Sequence, residues 1–230
     1  GTMQAVIFDF DGTLAELTID FALMKRKVVA LGCALTDAED PPDVGRPIAD
    51  LPVLELVEAL GRALDARSPA LGLEYRSRSR LAIVAQEMDA ARCGVLLPFV
   101  RPMLADLRAR GVGTGVITRN CSAAVRAVFP YIAAHTDVFL AREAVPDPKP
   151  HPDHLHRALG LLGAVPDRVL LVGDHPMDAA CARSAGAHAA GVLTGSGTAE
   201  ALAEAGCAPV AEDCAVLLAV LDAAGLLPRA

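Results

Sequence analysis

Ala5-Val6-Ile7-Phe8-Asp9-Phe10-Asp11-Gly12-Thr13-Leu14 decides the fold: four apolar residues in a row, then two acids one residue apart and a glycine. A short apolar run closed by turn-forming residues reads as a strand buried on both faces, and such strands belong to parallel sheets covered by helices. Downstream the same signal repeats. After Pro98, Val100, Met103, Leu104 and Leu107 mark a helical face, and further strands are expected over Val112–Thr118, Val138–Ala141, Val169–Val172 and Ala189–Leu193. Helical patterns near His154–Leu162, Ala179–Ala185 and Ala199–Ala205 separate the later ones. Strand and helix in alternation predict an α/β fold with a parallel sheet.

Between the first strand and that alternation the period changes. Phe21, Met24, Val28 and Leu31 recur every three or four residues, as do Leu54, Val57, Leu60 and Leu64, and then Leu81, Val84 and Met88. Pro41-Pro42 and Pro47 break these segments, so the stretch reads as a small helical bundle.

Composition narrows the function. Of 230 residues 53% are apolar and only 3% aromatic, so a sizeable core must be built from Ala, Val, Leu and Ile. A net charge of −7 without a dense Lys/Arg run argues against a nucleic-acid partner, because that affinity rests on clustered cations. Arg76, Arg78 and Arg80 read as a solvated helix face. Six cysteines without a C-x-x-C pair, and no secretory signal before the first strand, predict free thiols and a cytoplasmic location. The apolar run Ala215–Leu221 is too short to cross a bilayer, so no membrane partner is expected.

In an open parallel sheet, ligands bind beyond the carboxyl ends of the strands. The polar residues there are Asp9 and Asp11, Thr118, Lys149 in a proline-rich loop, and Asp174 with Asp178. Two neighbouring carboxylates can divide labour, one as nucleophile and one as proton carrier, although an isolated Asp-x-Asp equally reads as a turn cap. Asp174 and Asp178 read either as oxygen ligands for a hard cation such as Mg²⁺, together with Asp9, or as the cap and first-turn acid of a helix. Lys149, flanked by Pro148 and Pro150, offers a fixed cation to a phosphoryl group, and Thr118 offers a hydroxyl donor.

Taken together, Asp9-Phe10-Asp11-Gly12-Thr13-Leu14, Thr118, Lys149 and Gly173-Asp174-x-x-x-Asp178 resemble the four ordered motifs of haloacid dehalogenase-like hydrolases. Pro148-Lys149-Pro150-His151-Pro152-Asp153 resembles the lysine loop of the phosphoglycolate-phosphatase-like branch. The resemblance implies a Rossmann-like core over 3–14 and 94–230 with a helical cap over 15–93. It implies a magnesium-dependent phosphatase that acts on a small phosphorylated metabolite through an aspartyl phosphate. Asp9 is then the nucleophile and Asp11 the general acid/base, with Thr118 and Lys149 completing the catalytic set. Phe10, Gly12, Thr13, Thr118, Arg119, Asn120 and Lys149 form the expected substrate-binding set, and Asp9, Asp11, Asp174 and Asp178 the metal set. A monomer or homodimer is expected. Arg46, Arg76 and Arg80 of the cap are candidates to meet a substrate carboxylate.

Other readings share these motifs. A sugar-phosphate mutase of the same superfamily carries all four, and a phosphonate hydrolase needs a cap lysine, for which Lys25 and Lys27 are present. Outside the enzymes stand a phosphoreceiver-like module, disfavoured by a helical insertion this long, and a catalytically idle phosphate-binding protein.

Overall fold

The computed structural model describes residues 1–229. β1 (Ala5–Phe8) and a short β2 (Ala15–Glu16) flank the acidic turn, and α1 (Phe21–Thr36), α2 (Val53–Asp65) and α3 (Pro69–Arg92) follow. β3 (Val95–Leu96) leads into α4 (Val100–Ala109), β4 (Gly113–Ile117), α5 (Ser122–Val128), α6 (Ile132–His135) and β5 (Val138–Leu140). Next come α7 (Asp153–Leu162), β6 (Val169–Gly173), α8 (Pro176–Ser184), β7 (His188–Val192), α9 (Ala199–Ala205), β8 (Val210–Ala211) and α10 (Cys214–Ala223).

Six strands form one sheet in the order β5-β4-β1-β6-β7-β8, and every neighbouring pair is parallel. The α/β reading therefore holds. β1 occupies the middle because all four of its side chains are apolar and none keeps any exposed surface. Its register sets Phe8 beside Val116 of β4 and Val172 of β6. The residues that follow these strands, Asp9, Thr118 and Asp174, consequently leave the sheet along one edge. Chain order reverses on either side of β1, which is where open sheets of this kind place their ligands. Ile7, Ile117, Leu140, Leu155, Leu159 and Leu171 pack in one cluster beneath that edge, aliphatic as the aromatic-poor composition requires.

The chain divides into two compact units, 1–17 with 91–230 and 18–90. Residues 15–17 and 91–93, expected in the helical segment, belong instead to the first unit. The cause is local: β2 and β3 pair antiparallel, Ala15 with Leu96 and Glu16 with Val95, and two-residue strands carry no alternation that a sequence can display. All six cysteines are free thiols. No helix among the described residues is long and apolar enough to cross a membrane.

The unit 18–90 has its own core, in which Met24, Val28, Leu56, Leu60, Leu64, Tyr75 and Ile83 are buried. Tyr75 is wholly enclosed, and its hydroxyl donates to the Val28 carbonyl at 3.1 Å. Arg76, expected to meet a substrate carboxylate, is engaged inside the unit. Its guanidinium donates to both oxygens of Asp65, at 3.0 and 2.6 Å, and to Glu58 at 3.2 Å. The paired fork holds α3 to α2, a geometry arginine favours because its planar donors match a carboxylate. Arg78 meets Glu74 one turn away on an exposed face, an arrangement that contributes little. Arg76→Gln should therefore lower the melting temperature of the full chain by calorimetry while Arg78→Gln leaves it unchanged. Two variants that melt together would show the Asp65 pair to be idle.

Candidate active site

The turn after β1 is shaped by main-chain bonds. The Phe10 carbonyl accepts the amides of Thr13, Leu14 and Ala15, and Gly12 N–H donates to Ala15 O at 2.8 Å. Gly12 has φ +81°, and a Cβ there would lie 2.4 Å from Asp174 Oδ2, so only glycine lets this turn lie against the loop after β6. Asp11 accepts the Leu17 amide at 3.0 Å, and Thr13 Oγ1 donates to Asp174 Oδ1 at 3.4 Å. The other oxygen of Asp174 accepts Ser196 N–H at 3.0 Å. Asp178 belongs to the first turn of α8, where its Oδ2 accepts the His175 amide at 3.3 Å in a capping box.

Lys149 gathers these loops. Its ammonium lies 2.9 Å from Asp9 Oδ1 and 2.7 Å from Asp178 Oδ1, and the side chain is 2% exposed. Burial works to lower its pKa, but Asp178 and Asp9 outweigh burial and hold it above the ordinary lysine range. The acids respond in the opposite sense. Burial, with the Asp9 charge beside it, pushes Asp11 up to about 7. Burial and then Asp9 do the same to Asp174, also to about 7. Burial likewise pushes Asp178 up, against the pull of the Lys149 ammonium.

Each residue singled out in the sequence can now be placed. Asp9, Asp11, Thr118, Lys149, Asp174 and Asp178 all stand on loops or first turns at one sheet edge. Phe10 and Thr13, expected to touch substrate, have no exposed surface; one packs inward and the other braces Asp174. Thr118 Oγ1 accepts the Asn120 amide at 3.1 Å, closing a turn. Arg119 Nη1 donates to the Lys149 carbonyl at 2.5 Å, so this guanidinium ties two loops of the site together.

Sequence reasoning passed over Thr194, Ser196 and His154. Thr194 Oγ1 donates to Gly12 O at 2.6 Å, and Gly197 N–H to Asp174 O at 2.9 Å. The signal was present, since Thr194-Gly195-Ser196-Gly197 follows an apolar strand as the other loops do. His154 left no signal, because a histidine inside an amphipathic helix looks like any other partly polar position.

Asp9, Asp174 and Asp178 each offer an oxygen, and these atoms lie within 4.8 Å of one another. Of four carboxylates at this edge, counting Asp11, only Asp9 and Asp178 meet the Lys149 ammonium, and burial with the Asp9 charge lifts the other two to about 7. An all-oxygen set with uncompensated negative charge suits a hard divalent cation such as Mg²⁺. A second grouping, Asp147, His151 and Asp153, is exposed, and His151 Nδ1 there accepts the Asp153 amide at 3.2 Å, an ordinary turn contact.

The chain is similar to proteins of a known family. A family model described as haloacid dehalogenase-like hydrolase matches residues 3–186. The chain is 31% identical over 209 residues to a phosphoglycolate phosphatase of Yersinia pseudotuberculosis, covering 87% of this chain and 85% of that one. It is 29% identical over 201 residues to an N-acetylmuramic acid 6-phosphate phosphatase of Pseudomonas aeruginosa, covering 84% and 83%. The crystal structure of a hydrolase from Pseudomonas syringae shares the fold with a TM-score of 0.65 at 22% identity, over 95% of this chain and 98% of that one.

The raised carboxyl of Asp174 sets a sign for stability against pH. Its folded-state pKa of about 7 exceeds the ordinary aspartate value of 3.8, so the native state holds a proton the unfolded chain has released. Stability from this group is complete below about pH 4 and is lost as pH rises through 7. In chelator, Asp174→Asn removes the penalty. Its melting temperature should gain on that of the parent between pH 5 and pH 8, by on the order of 5 °C. A gap that does not change with pH would refute the assignment.

Proposed function

The chain belongs to the haloacid dehalogenase-like hydrolases, and on that premise we propose that it is a magnesium-dependent phosphatase using Asp9 as nucleophile. The observation that carries this reading is the buried Lys149–Asp9 ion pair at the carboxyl edge of the sheet, with three further acids around it. Asp9, Asp174 and Asp178, with the main-chain carbonyl of Asp11, are the groups assigned to the cation. When bound, Mg²⁺ supplies positive charge that lets an anionic phosphate approach the carboxylates.

The remaining chemistry is the chain's own. An Asp9 carboxylate oxygen forms a bond to phosphorus as the bond to the leaving oxygen breaks, and Asp11 gives that oxygen its proton. Asp11, now ionised, takes a proton from water, whose oxygen attacks phosphorus and releases Asp9 and inorganic phosphate. One residue can serve both directions because its pKa of about 7 sits near the working pH. The Lys149 ammonium and the Thr118 hydroxyl are assigned to the phosphoryl oxygens, where charge develops.

The substrate proposed is a small phosphorylated metabolite. Phosphoglycolate is the first to try, since relatives about 30% identical carry that name. The helical unit 18–90 is assigned the role of a cap that sets substrate choice. Release of inorganic phosphate, and not an isomeric sugar phosphate, separates this reading from a mutase.

Turnover of an aryl phosphate should stop in excess EDTA and return with Mg²⁺; undiminished turnover in chelator would sink the metal assignment. Asp9→Asn should form no phosphoenzyme. Asp11→Asn keeps the nucleophile and loses the proton carrier, a loss of roughly 10²- to 10⁴-fold on an alkyl phosphate. With an aryl phosphate, whose leaving group hardly needs protonation, the later attack by water should suffer more, so phospho-Asp9 accumulates. Acid quench with labelled substrate reads this directly. Label trapped on Asp9→Asn, or parental hydrolysis by Asp11→Asn, would overturn the roles.

A further inference from the structure

The loop that carries Lys149 is Asp147-Pro148-Lys149-Pro150-His151-Pro152. Its prolines have no N–H, so the loop cannot hold itself in place with a ladder of main-chain bonds. Yet Lys149 is 2% exposed, where an unpaired amide or carbonyl would be costly. Both of its main-chain groups are met by side chains. The amide donates to His154 Nδ1 at 3.1 Å, and the carbonyl accepts Arg119 Nη1 at 2.5 Å.

These two contacts close a ring. His154 Nε2 lies 2.9 Å from Leu140 O at the end of β5, and the same carbonyl accepts Thr118 N–H at 3.2 Å. A carbonyl has two lone pairs and can serve both. Because Nδ1 accepts a hydrogen bond from an amide and Nε2 faces a carbonyl, the imidazole must be the neutral tautomer with its proton on Nε2. Its setting agrees: His154 has no exposed surface, and burial, then the Lys149 charge, pushes its pKa down to about 4. Arg142 Nη1 in turn donates to Arg119 O at 2.6 Å, steadying the other half of the ring.

We infer that His154 and Arg119 are positioning residues that clamp the main chain of Lys149 and lock its loop to the Thr118 loop. Fixing the amide and carbonyl of one residue fixes the direction in which its side chain leaves the backbone. The ammonium is thereby aimed at Asp9 before any phosphate arrives, which removes a reorganisation cost from catalysis. His154 works at a distance from the reacting atoms and never carries charge while doing so. Arg119 spends this Nη1 donor on the lysine loop. The inference rests on the phosphatase reading for its catalytic consequence, but the clamp itself can be observed without turnover.

The test uses two substitutions of the full-length chain that each keep half of the imidazole. In His154→Asn the side-chain oxygen takes the place of Nδ1 and still accepts the Lys149 amide. In His154→Gln the amide nitrogen takes the place of Nε2 and keeps only the Leu140 bond. A residue that merely filled space would respond alike to both. The Lys149 amide should exchange with solvent slowly in the parent and in His154→Asn, and at least tenfold faster in His154→Gln, by nuclear magnetic resonance. On an aryl phosphate, kcat should stay within about threefold of the parent in His154→Asn. In His154→Gln it should fall by up to about 10²-fold, the effect of a misplacement of roughly 1 Å. Equal exchange rates, or equal kcat at matched melting temperature, overturn the clamp. If either histidine variant does not fold, Arg119→Gln reads the other contact, and an Arg119→Gln enzyme with parental kcat also overturns it. A Lys149→Met enzyme with parental kcat, or a parent inactive on every phosphomonoester, sinks the phosphatase reading instead, while amide exchange still decides the clamp.

Discussion

The ammonium of Lys149, within 3 Å of carboxylate oxygens on two different elements, is the contact on which the rest of the site depends. Burying an ammonium costs several kcal/mol unless charged partners and good geometry compensate. Asp9 follows β1 and Asp178 lies in the first turn of α8, so the pair of ion contacts requires those two ends to come together at a third loop. The parallel register of β1 with β6 provides this, since Phe8 stands beside Val172 and the chain beyond each strand emerges at the same level. An antiparallel pairing would send one of the acids to the opposite edge. Sheet topology and charge placement are thus one requirement.

Much of this could be read from the chain alone, for reasons that particular residues make plain. Ala5–Phe8 was legible because a strand buried on both faces is apolar throughout and ends abruptly in polar residues. The acids were legible because the fold class fixes which end of each strand is functional, so Asp9 and Asp174 acquired meaning from what precedes them. What could not be read depends on partners distant in sequence. β2 and β3 are two residues each and exist through their mutual pairing. Arg76 looked available until Asp65, eleven residues earlier, was found to occupy it. Nothing in Pro148-Lys149-Pro150 announces that a lysine flanked by prolines is 2% exposed.

The same limit explains the residues that were missed and those that were assigned differently. Thr13 belongs to the motif by position, but its hydroxyl turns inward to Asp174, and the loop Thr194–Gly197 supplies the opposing support from the far side of β7. Asp174 is therefore held by two segments that lie more than 150 residues apart in the chain, and its geometry is a property of the assembled edge. Support of this kind fixes the orientation of the carboxylate beside Asp9, which lies close enough to raise its pKa.

Asp9 and Asp11 are the same residue type two positions apart, yet the fold gives them different neighbours. Asp9 has a permanently charged partner at 2.9 Å, which offsets its negative charge and keeps an oxygen oriented. Asp11 accepts the main-chain amide of Leu17, a weaker compensation than an ammonium, and its burial lifts the carboxyl to about 7. In extended chain two residues two apart would share a face, but the turn closed on the Phe10 carbonyl separates them, so that Asp9 meets the lysine loop and Asp11 meets the Leu17 amide beyond β2. The division between a nucleophile and a proton carrier accordingly needs no difference in chemistry between the two residues. In the proposed mechanism it follows from which of them the fold places beside Lys149, and a shift of one residue in the turn would abolish the proposed roles.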